Sequence, residues 1–303
     1  MTNAPRVSIG VPVYNGAGHV QRALESLLAQ TFADFEVVVS DNASSDATEV
    51  ICRAFAARDP RVRYLRQQAN LGATRNFELC LEQARGEYWM WLASDDSIDP
   101  DYVRRCVQCL DAEAACVLVA GSVVYRTDDG ATSLGSSVSL LQDSGPRRVL
   151  AYARNVGDNG VFYGLYRRAA AARGRLRHSI GADWAWVAEI AFLGKIRVLE
   201  DVHVHRHDGW RATTPHAYYR RLVRLLGAPR LLRATPRLAA AWTVGASLAT
   251  DSPALLALPP LRRWSLAAAV AIVLASRLSW AAMRGGASAL RSRWRDAAAA
   301  GGT

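Results

Sequence analysis

Apolar positions along this chain fall first into short runs and later into helical stripes. Val7 to Val13 reads as a strand running into turn chemistry at Asn15-Gly16-Ala17-Gly18. Val20, Ala23, Leu24, Leu27 and Leu28 then recur at helical spacing. A second strand, Phe35 to Val39, ends in Ser40, Asp41 and Asn42. Asp46-Ala-Thr-Glu49 has the form of a capping box for a helix to about Arg58. Val62 to Leu65 predicts a short strand, Asn70-Leu-Gly72 a loop, and Ala73 to Ala84 a helix. The unbroken apolar run Tyr88-Trp-Met-Trp-Leu92 predicts a strand covered on both faces. It ends abruptly in Ser94, Asp95 and Asp96.

Strand and helix alternate through this stretch, which predicts right-handed βαβ crossovers and a mainly parallel sheet. Tyr14, Asn15, Asp41, Asp95 and Asp96 all fall at C-terminal strand ends, the edge of an open α/β sheet where ligands bind. Two adjacent carboxylates repel, and burial sharpens the repulsion. A divalent cation carrying phosphates relieves it; the other reading is an acidic turn capping the helix that Asp99-Pro100 opens. No G-x-G-x-x-G follows the first strand and no G-x-x-x-x-G-K-[ST] occurs, which argues against a dinucleotide site or a P-loop.

Further on, a helix runs to about Asp111 and Cys116 to Tyr125 is a strand. Thr127-Asp-Asp-Gly130 is a turn, and residues 131–148 show no period and read as a loop. Gly160 to Tyr166 reads as a strand. Asp183 stands at the mouth of a helix containing Val187, Ile190 and Phe192, where the plain reading is a cap. Trp184 and Trp186 are a sugar platform or core. After a short strand, Ile196 to Leu199, the residues His203, His205 and His207 alternate onto one face.

Val11-Pro-Val-Tyr-Asn15, Val37 to Asp46, Asn70-Leu-Gly72 with Arg75-Asn76, and Ala93-Ser-Asp-Asp96, in that order, resemble the signature of the family 2 glycosyltransferases with the GT-A fold. The resemblance covers roughly residues 5–210. It implies a GT-A sheet flanked by helices and inverting transfer from a nucleotide-diphosphate sugar. Pro12, Tyr14, Asn15 and Asp41 would hold the base and ribose, with Arg75 near the nucleotide or its diphosphate. Asp96 would coordinate Mg²⁺ or Mn²⁺, and Asp95 would lie near the ribose or donor sugar. Asp183 falls where the family carries its general base, with Ala182 replacing the acid often found before it. His205 or His207 would lie near the metal. Ser94 stands where many members have a further Asp. The absence of a Gln-x-x-Arg-Trp motif implies addition of one sugar rather than processive synthesis. A sugar-nucleotide pyrophosphorylase is the rival, but the Tyr14 to Gly18 loop lacks the basic residue it needs. A non-catalytic adaptor is the other rival, and retention of Asp41, Asp95, Asp96 and Asp183 together argues against it.

Charge changes the picture at the C-terminus. Of 303 residues, the first 210 carry 23 Lys/Arg against 25 Asp/Glu, whereas the remainder carries 14 Arg against Asp251 and Asp296. A catalytic domain over 1–212 and an Arg/Ala-rich helical extension over 213–303 are expected. The extension reads as a helix from Ala217, a second from Pro236 to Thr250, a break at Pro259-Pro260, and an apolar stretch from Trp264 to Met283. The uninterrupted part of that stretch, Trp264 to Ser276, is 13 residues, short of the roughly 20 that span a bilayer. It is expected to lie in an interface, flanked by Trp280, Arg262, Arg263 and Arg284, or to pack on the catalytic domain. The tail after Arg291 reads as disordered. The expected partners are a nucleotide-diphosphate sugar, a glycan or lipid-linked acceptor and an anionic membrane surface. No nucleic-acid motif accompanies the arginines. Five scattered cysteines and a polar Met1 to Arg6 suit a cytoplasmic protein, peripheral on the membrane's cytoplasmic face. Cys106 and Cys109 have C-x-x-C spacing without a second pair and read as idle thiols.

Overall fold

The computed structural model describes residues 4–127, 130–157, 159–207 and 235–279. Its first half is β1 (Val7–Val13), α1 (Val20–Leu28), β2 (Phe35–Asp41), α2 (Thr48–Arg58), β3 (Val62–Arg66), α3 (Ala73–Glu82) and β4 (Tyr88–Trp91). Then come β5 (Ser97–Ile98), α4 (Tyr102–Ala112), β6 (Cys116–Arg126), β7 (Thr132–Leu134) and α5 (Gly145–Asn155). A 3-10 turn (Gly160–Tyr163) leads to β8 (Leu165–Arg167), α6 (Arg168–Ala171), α7 (Ala182–Leu193) and β9 (Lys195–His207). The helices α8 (Pro236–Thr250) and α9 (260–279) follow. The expected helix from Ala217, the anchors Trp280 and Arg284, and the tail after Arg291 lie outside the described residues.

One sheet runs in the order β3-β2-β1-β4-β8-β6-β9-β5, with β7 on β6. The first four strands are parallel, as the alternation predicts. Beyond β4 the sheet is mixed: β8 is antiparallel to β4 and to β6, and β9 is parallel to β6. Two apolar clusters fill its two faces. Val7, Ile9 and Val11 face α1 and α4, while Trp89 and Trp91 face α3, α5 and α7. On that second face β1 presents Gly10, where a Cβ would meet Trp89 at 2.3 Å and Cys80 at 2.6 Å. That small residue lets the Trp89 indole approach the strand closely.

Helix α7 is apolar all round, and Trp184 to Ala191 are buried. A helix of this kind needs cover on every side. The sheet and α5 cover one side and α8 the other. Gly245 of α8 lies so close to α9 that a Cβ would meet Ala271 at 2.8 Å. The described part of the C-terminal third therefore shares the apolar cluster of α5 and α7.

Three expectations change. The stretch 131–148 is not a plain loop: it contains β7 and the start of α5. Arg148 hid the helix by breaking its apolar stripe. Its guanidinium is buried and donates to the carbonyls of Gln142, Asp143, Ala191 and Phe192. Gly160 to Tyr166 is a 3-10 turn followed by a three-residue strand. A Cβ on Gly164 would stand 2.6 Å from the Val119 carbonyl, so this glycine serves the approach of β6. Finally, α2 begins at Thr48, and Asp46 accepts from the Thr48 and Ala17 amides rather than closing a capping box with Glu49.

Candidate active site

The parallel strands bring their C-terminal ends to one edge. Register pairs Val13 with Asp41 and Asp41 with Arg66, so the β1 loop, the Asp41 carboxylate and the Arg66 guanidinium meet by construction. Asp41 is fully buried. One oxygen accepts from the Ser44 amide at 2.9 Å and the Ser44 hydroxyl at 2.6 Å. The other accepts from Tyr64 at 2.6 Å and Arg66 at 2.8 Å. Burial alone would raise its pKa, but these donors outweigh burial and hold the carboxyl below its usual range. Asn15, at φ 51°, accepts from the Ser45 amide and donates its own amide to Ser44. Pro12 is buried in β1, whereas Tyr14 is 50% exposed at the rim.

The β1 loop also touches the acidic turn, because a Cβ on Gly16 would stand 3.6 Å from the Ser94 hydroxyl. Arg22 of α1 donates to the Asp95 carbonyl at 2.6 Å. The two adjacent carboxylates then diverge. Asp95 is exposed, while Asp96 is turned inward and 2% exposed. Arg206 Nε of β9 lies 3.1 Å from Asp96 Oδ2, off the hydrogen-bond direction, and that oxygen has no hydrogen-bond partner. Burial pushes the Asp96 carboxyl up to about 7 against the pull of Arg206, with Asp95 adding to the rise.

Arg206 also stacks over Tyr163 at 4.9 Å from the ring centre. The phenol of Tyr163 is pushed up by burial, and it feels the charges of Arg206, Asp96, Asp183 and Asp95. Tyr163 therefore stands among all three acids. Asp183 lies in the first turn of α7, but the cap position is Gly181, at φ 73°, and no side chain caps the helix. The plain cap reading therefore fails. Asp183 Oδ2 accepts from Asn159 Nδ2 at 2.9 Å. Burial raises its pKa, and the Asn159 donor, the first-turn amides and Arg206 offset this only in part. Asp183 faces a cavity of about 270 Å³ shared with Thr74, Phe77, Phe162 and Tyr163. A second cavity of about 520 Å³ adjoins it through Thr74, Leu176, Arg177 and Ser179, and extends to Ser247 of α8 and Asp251 just after it.

Two expected site residues stand elsewhere. Arg75 is drawn along α3 onto Glu82 at 2.5 Å and lines the larger cavity rather than meeting Asp41, Asp95 or Asp96. His205 falls on the opposite face of β9 from Arg206, because adjacent strand residues alternate. Its Nε2 lies 2.5 Å from Asp99, which His203 also contacts at 2.9 Å. The histidine ladder thus fastens β9 to the turn before α4, and the strand presents an arginine to Asp96 instead. The side chain of His207 lies outside the described residues. Trp184 and Trp186 are core.

A divalent cation fits the acidic turn, though not as an all-protein cage. Among the described residues no group of three or more His, Cys, Asp or Glu is arranged to hold a metal. Hard oxygen donors are nevertheless present at Asp95 and at the unsatisfied Asp96 Oδ2. Mg²⁺ and Mn²⁺ commonly take one or two carboxylates and complete their shell with substrate phosphates. Sequence reasoning passed over Arg206, Tyr163 and Asn159. Arg206 was masked by its flanking histidines, and Asn159 lay in a stretch with no pattern.

Comparison with known proteins fits this geometry. The family described as Glycosyl transferase family 2 matches residues 8–174, and the chain belongs to it. It is 36% identical over 138 residues to the succinoglycan biosynthesis protein ExoO of Rhizobium meliloti, covering 46% of this chain and 39% of that protein. It is 37% identical over 128 residues to a chondroitin synthase of Escherichia coli, covering 42% and 18%. The chain thus spans well under half the length of these curated relatives. Among solved structures, a mannosyltransferase of Pyrobaculum calidifontis in complex with GDP-Man and Mn²⁺ superposes with a TM-score of 0.54 at 21% identity, covering 92% and 88%. Residues 1–349 of Staphylococcus aureus TarS in complex with UDP-GlcNAc give 0.53 at 20%, covering 86% and 79%. These likenesses establish the GT-A fold.

Proposed function

We propose that the protein transfers one sugar, with inversion, from a nucleotide-diphosphate sugar to a hydroxyl of a glycan or lipid-linked acceptor in cell-surface polysaccharide synthesis. The observation that carries this reading is the convergence of Asp95, Asp96 and Asp183 on Tyr163 and Arg206 beside a cavity. Relatives in polysaccharide synthesis and structural neighbours bound to UDP-GlcNAc and GDP-Man support it.

In this reading Tyr14 and Pro12 meet the base, with Asn15 and Asp41 holding the loop beneath them. Asp95 faces the diphosphate. Asp95 and Asp96 would hold Mg²⁺ or Mn²⁺, which would supply positive charge to the leaving diphosphate. Arg206 holds Asp96 in place and adds a fixed cation at the same edge. Asp183 takes the proton from the acceptor hydroxyl as that oxygen attacks the anomeric carbon. Its raised pKa makes it a stronger base than an ordinary carboxylate. Residues 1–212 are the catalytic part, and α8 and α9 belong to an extension over 213–303.

The extension is proposed to rest on an anionic membrane surface. On α9, Leu261, Trp264 and Ile272 are exposed and fall on one side of the helix, whereas Leu266, Ala267, Val270 and Leu274 are buried. Arg262 is exposed beside that side, whereas Arg263 is half-buried and donates to the Leu256 carbonyl. Among the described residues no helix is long and apolar enough to cross a membrane.

The test is Asp183→Asn. Transfer should fall by about a thousandfold while calorimetric binding of the donor stays within about twofold. Loss of both together, or retention of transfer, would remove Asp183 as the base.

A further inference from the structure

We propose that Asn159 is a positioning residue for the base: its side-chain amide holds one oxygen of Asp183 so that the other is presented to the acceptor. This rests on the reading of Asp183 as the base. Asn159 is 4% exposed and sits in the left-handed region at φ 53°, ψ 33°, just before the 3-10 turn. Asn is among the few non-glycine residues that adopt this conformation readily. The backbone thus delivers a short amide side chain to the Asp183 carboxylate.

The orientation of that amide is fixed from both ends. Its Nδ2 is 2.9 Å from Asp183 Oδ2, and its Oδ1 is 2.5 Å from the Tyr152 hydroxyl of α5. An ionised carboxylate can only accept, so the NH₂ must face Asp183. The amide oxygen must then face Tyr152, and the tyrosine hydroxyl must donate. A single directed chain runs from Tyr152 through Asn159 to Asp183. Among the described residues Asp183 Oδ1 takes no hydrogen bond from another side chain. Beside the first-turn amides, Asn159 is thus the side chain that fixes the carboxylate, and it does so at Oδ2.

The same bond favours the ionised form of Asp183 in a site whose burial opposes it. The other groups facing Asp183 are Arg206 of β9, Tyr163 of the turn and Tyr166 of β8, with Asp95 and Asp96 beyond Tyr163. Of these, Arg206 also favours ionisation, but it is engaged with Asp96. Among the described residues Asn159 is the one group whose side chain hydrogen-bonds the Asp183 carboxylate.

Two variants test this. Asn159→Asp keeps the shape and tolerates the same backbone, but replaces the N–H donor with a like charge. Tyr152→Phe removes the far anchor by deleting one oxygen, and it carries the test if the first variant does not fold. The readouts are the titration of the Asp183 carboxyl carbon by NMR, assigned by its loss in Asp183→Asn, and the split of kcat against donor KM. The titration in Asn159→Asp should move to higher pH by about a unit or more. The acid limb of kcat should move with it, kcat should fall by about tenfold or more, and donor KM should stay within about twofold. Tyr152→Phe should move both in the same direction by less. An unmoved titration and an unmoved acid limb in a folded variant would overturn the proposal. If Asp183→Asn keeps transfer while the titration still moves, the base reading itself fails and takes the catalytic role of Asn159 with it.

Discussion

The two halves of the sheet edge treat their carboxylates in opposite ways. In the β1–β3 half, Asp41 is saturated with four donors and its pKa is pressed down. In the half built from the β4–β5 turn, the 3-10 turn, α7 and β9, Asp96 Oδ2 lacks a hydrogen-bond partner, Asp183 has a single side-chain donor, and burial raises both pKa values. A saturated acid fixes a loop and has little capacity left for chemistry. An under-satisfied acid is held at a disadvantage by the surrounding packing, and a cation, a phosphate-bound metal or a substrate proton can relieve it. Burial alone does not separate them, since Asp41 and Asp96 are both almost inaccessible. The count of donors does.

The sharpest break of this contrast is Asp41→Ala. Removing the carboxylate leaves Arg66, Tyr64 and Ser44 without their shared acceptor, and should lower stability by about 3 kcal/mol, read by denaturant unfolding. Because the folded pKa of Asp41 lies below its unfolded value, its contribution is full above the ordinary carboxylate range. It is lost as pH falls through the folded value. The penalty of the variant should therefore shrink in acid. A penalty independent of pH would contradict the assignment.

Next in size, Asp95→Ala and Asp96→Ala should each weaken Mn²⁺-dependent donor binding by about tenfold or more. Binding of the same nucleotide sugar in EDTA should be weak in the wild type and unchanged by either substitution. Donor binding and transfer that are indifferent to EDTA would dismiss the metal.

A smaller effect of opposite sign is expected for Asp183→Asn. The folded pKa of Asp183 lies above its unfolded value, so ionisation on raising the pH works against the fold. The variant should melt about 1–3 °C higher than the wild type near pH 8, with the gain vanishing in acid. The smallest effect concerns the outer side of α9. Ile272→Glu or Trp264→Ser should reduce sedimentation with anionic vesicles by about fivefold, and leave binding to neutral vesicles low in all forms. Equal sedimentation of wild type and variants would remove α9 as the contact.

Sequence reasoning reached these two halves unevenly. The first half was open to it because each strand is a continuous apolar run and each ends in a polar cluster. Strand-end chemistry in a parallel sheet follows from such a pattern without knowing any contact. Asp41 was found in this way, and so were Asp95 and Asp96, which follow the apolar run of β4 where the second half begins. The second half depends on contacts between elements far apart in sequence. Arg206 meets Asp96 across 110 positions, and only the register of β9 decides that the arginine, not His205, faces the acid. Helix α5 was hidden because Arg148 breaks its apolar stripe, and a buried arginine reads as a surface residue until its four carbonyl partners are known. Asn159 carries no signal beyond a turn-former, since its role is set by Tyr152 and Asp183 together. One clue was available: α7 is apolar on every side, which required the C-terminal helices to cover it.

The central claim is that donor and base meet in one cleft at the C-terminal strand ends. It is tested most directly by a crystal structure with a nucleotide-diphosphate sugar and Mn²⁺, using Asp183→Asn to prevent turnover. The diphosphate should lie against Asp95, with Tyr14 beside the base. The anomeric carbon should face the 183 side chain across a gap wide enough for one acceptor oxygen about 3–3.5 Å from that carbon. A donor seated instead in the larger cavity against Arg75 and Asp251, with its diphosphate remote from Asp95, would contradict it.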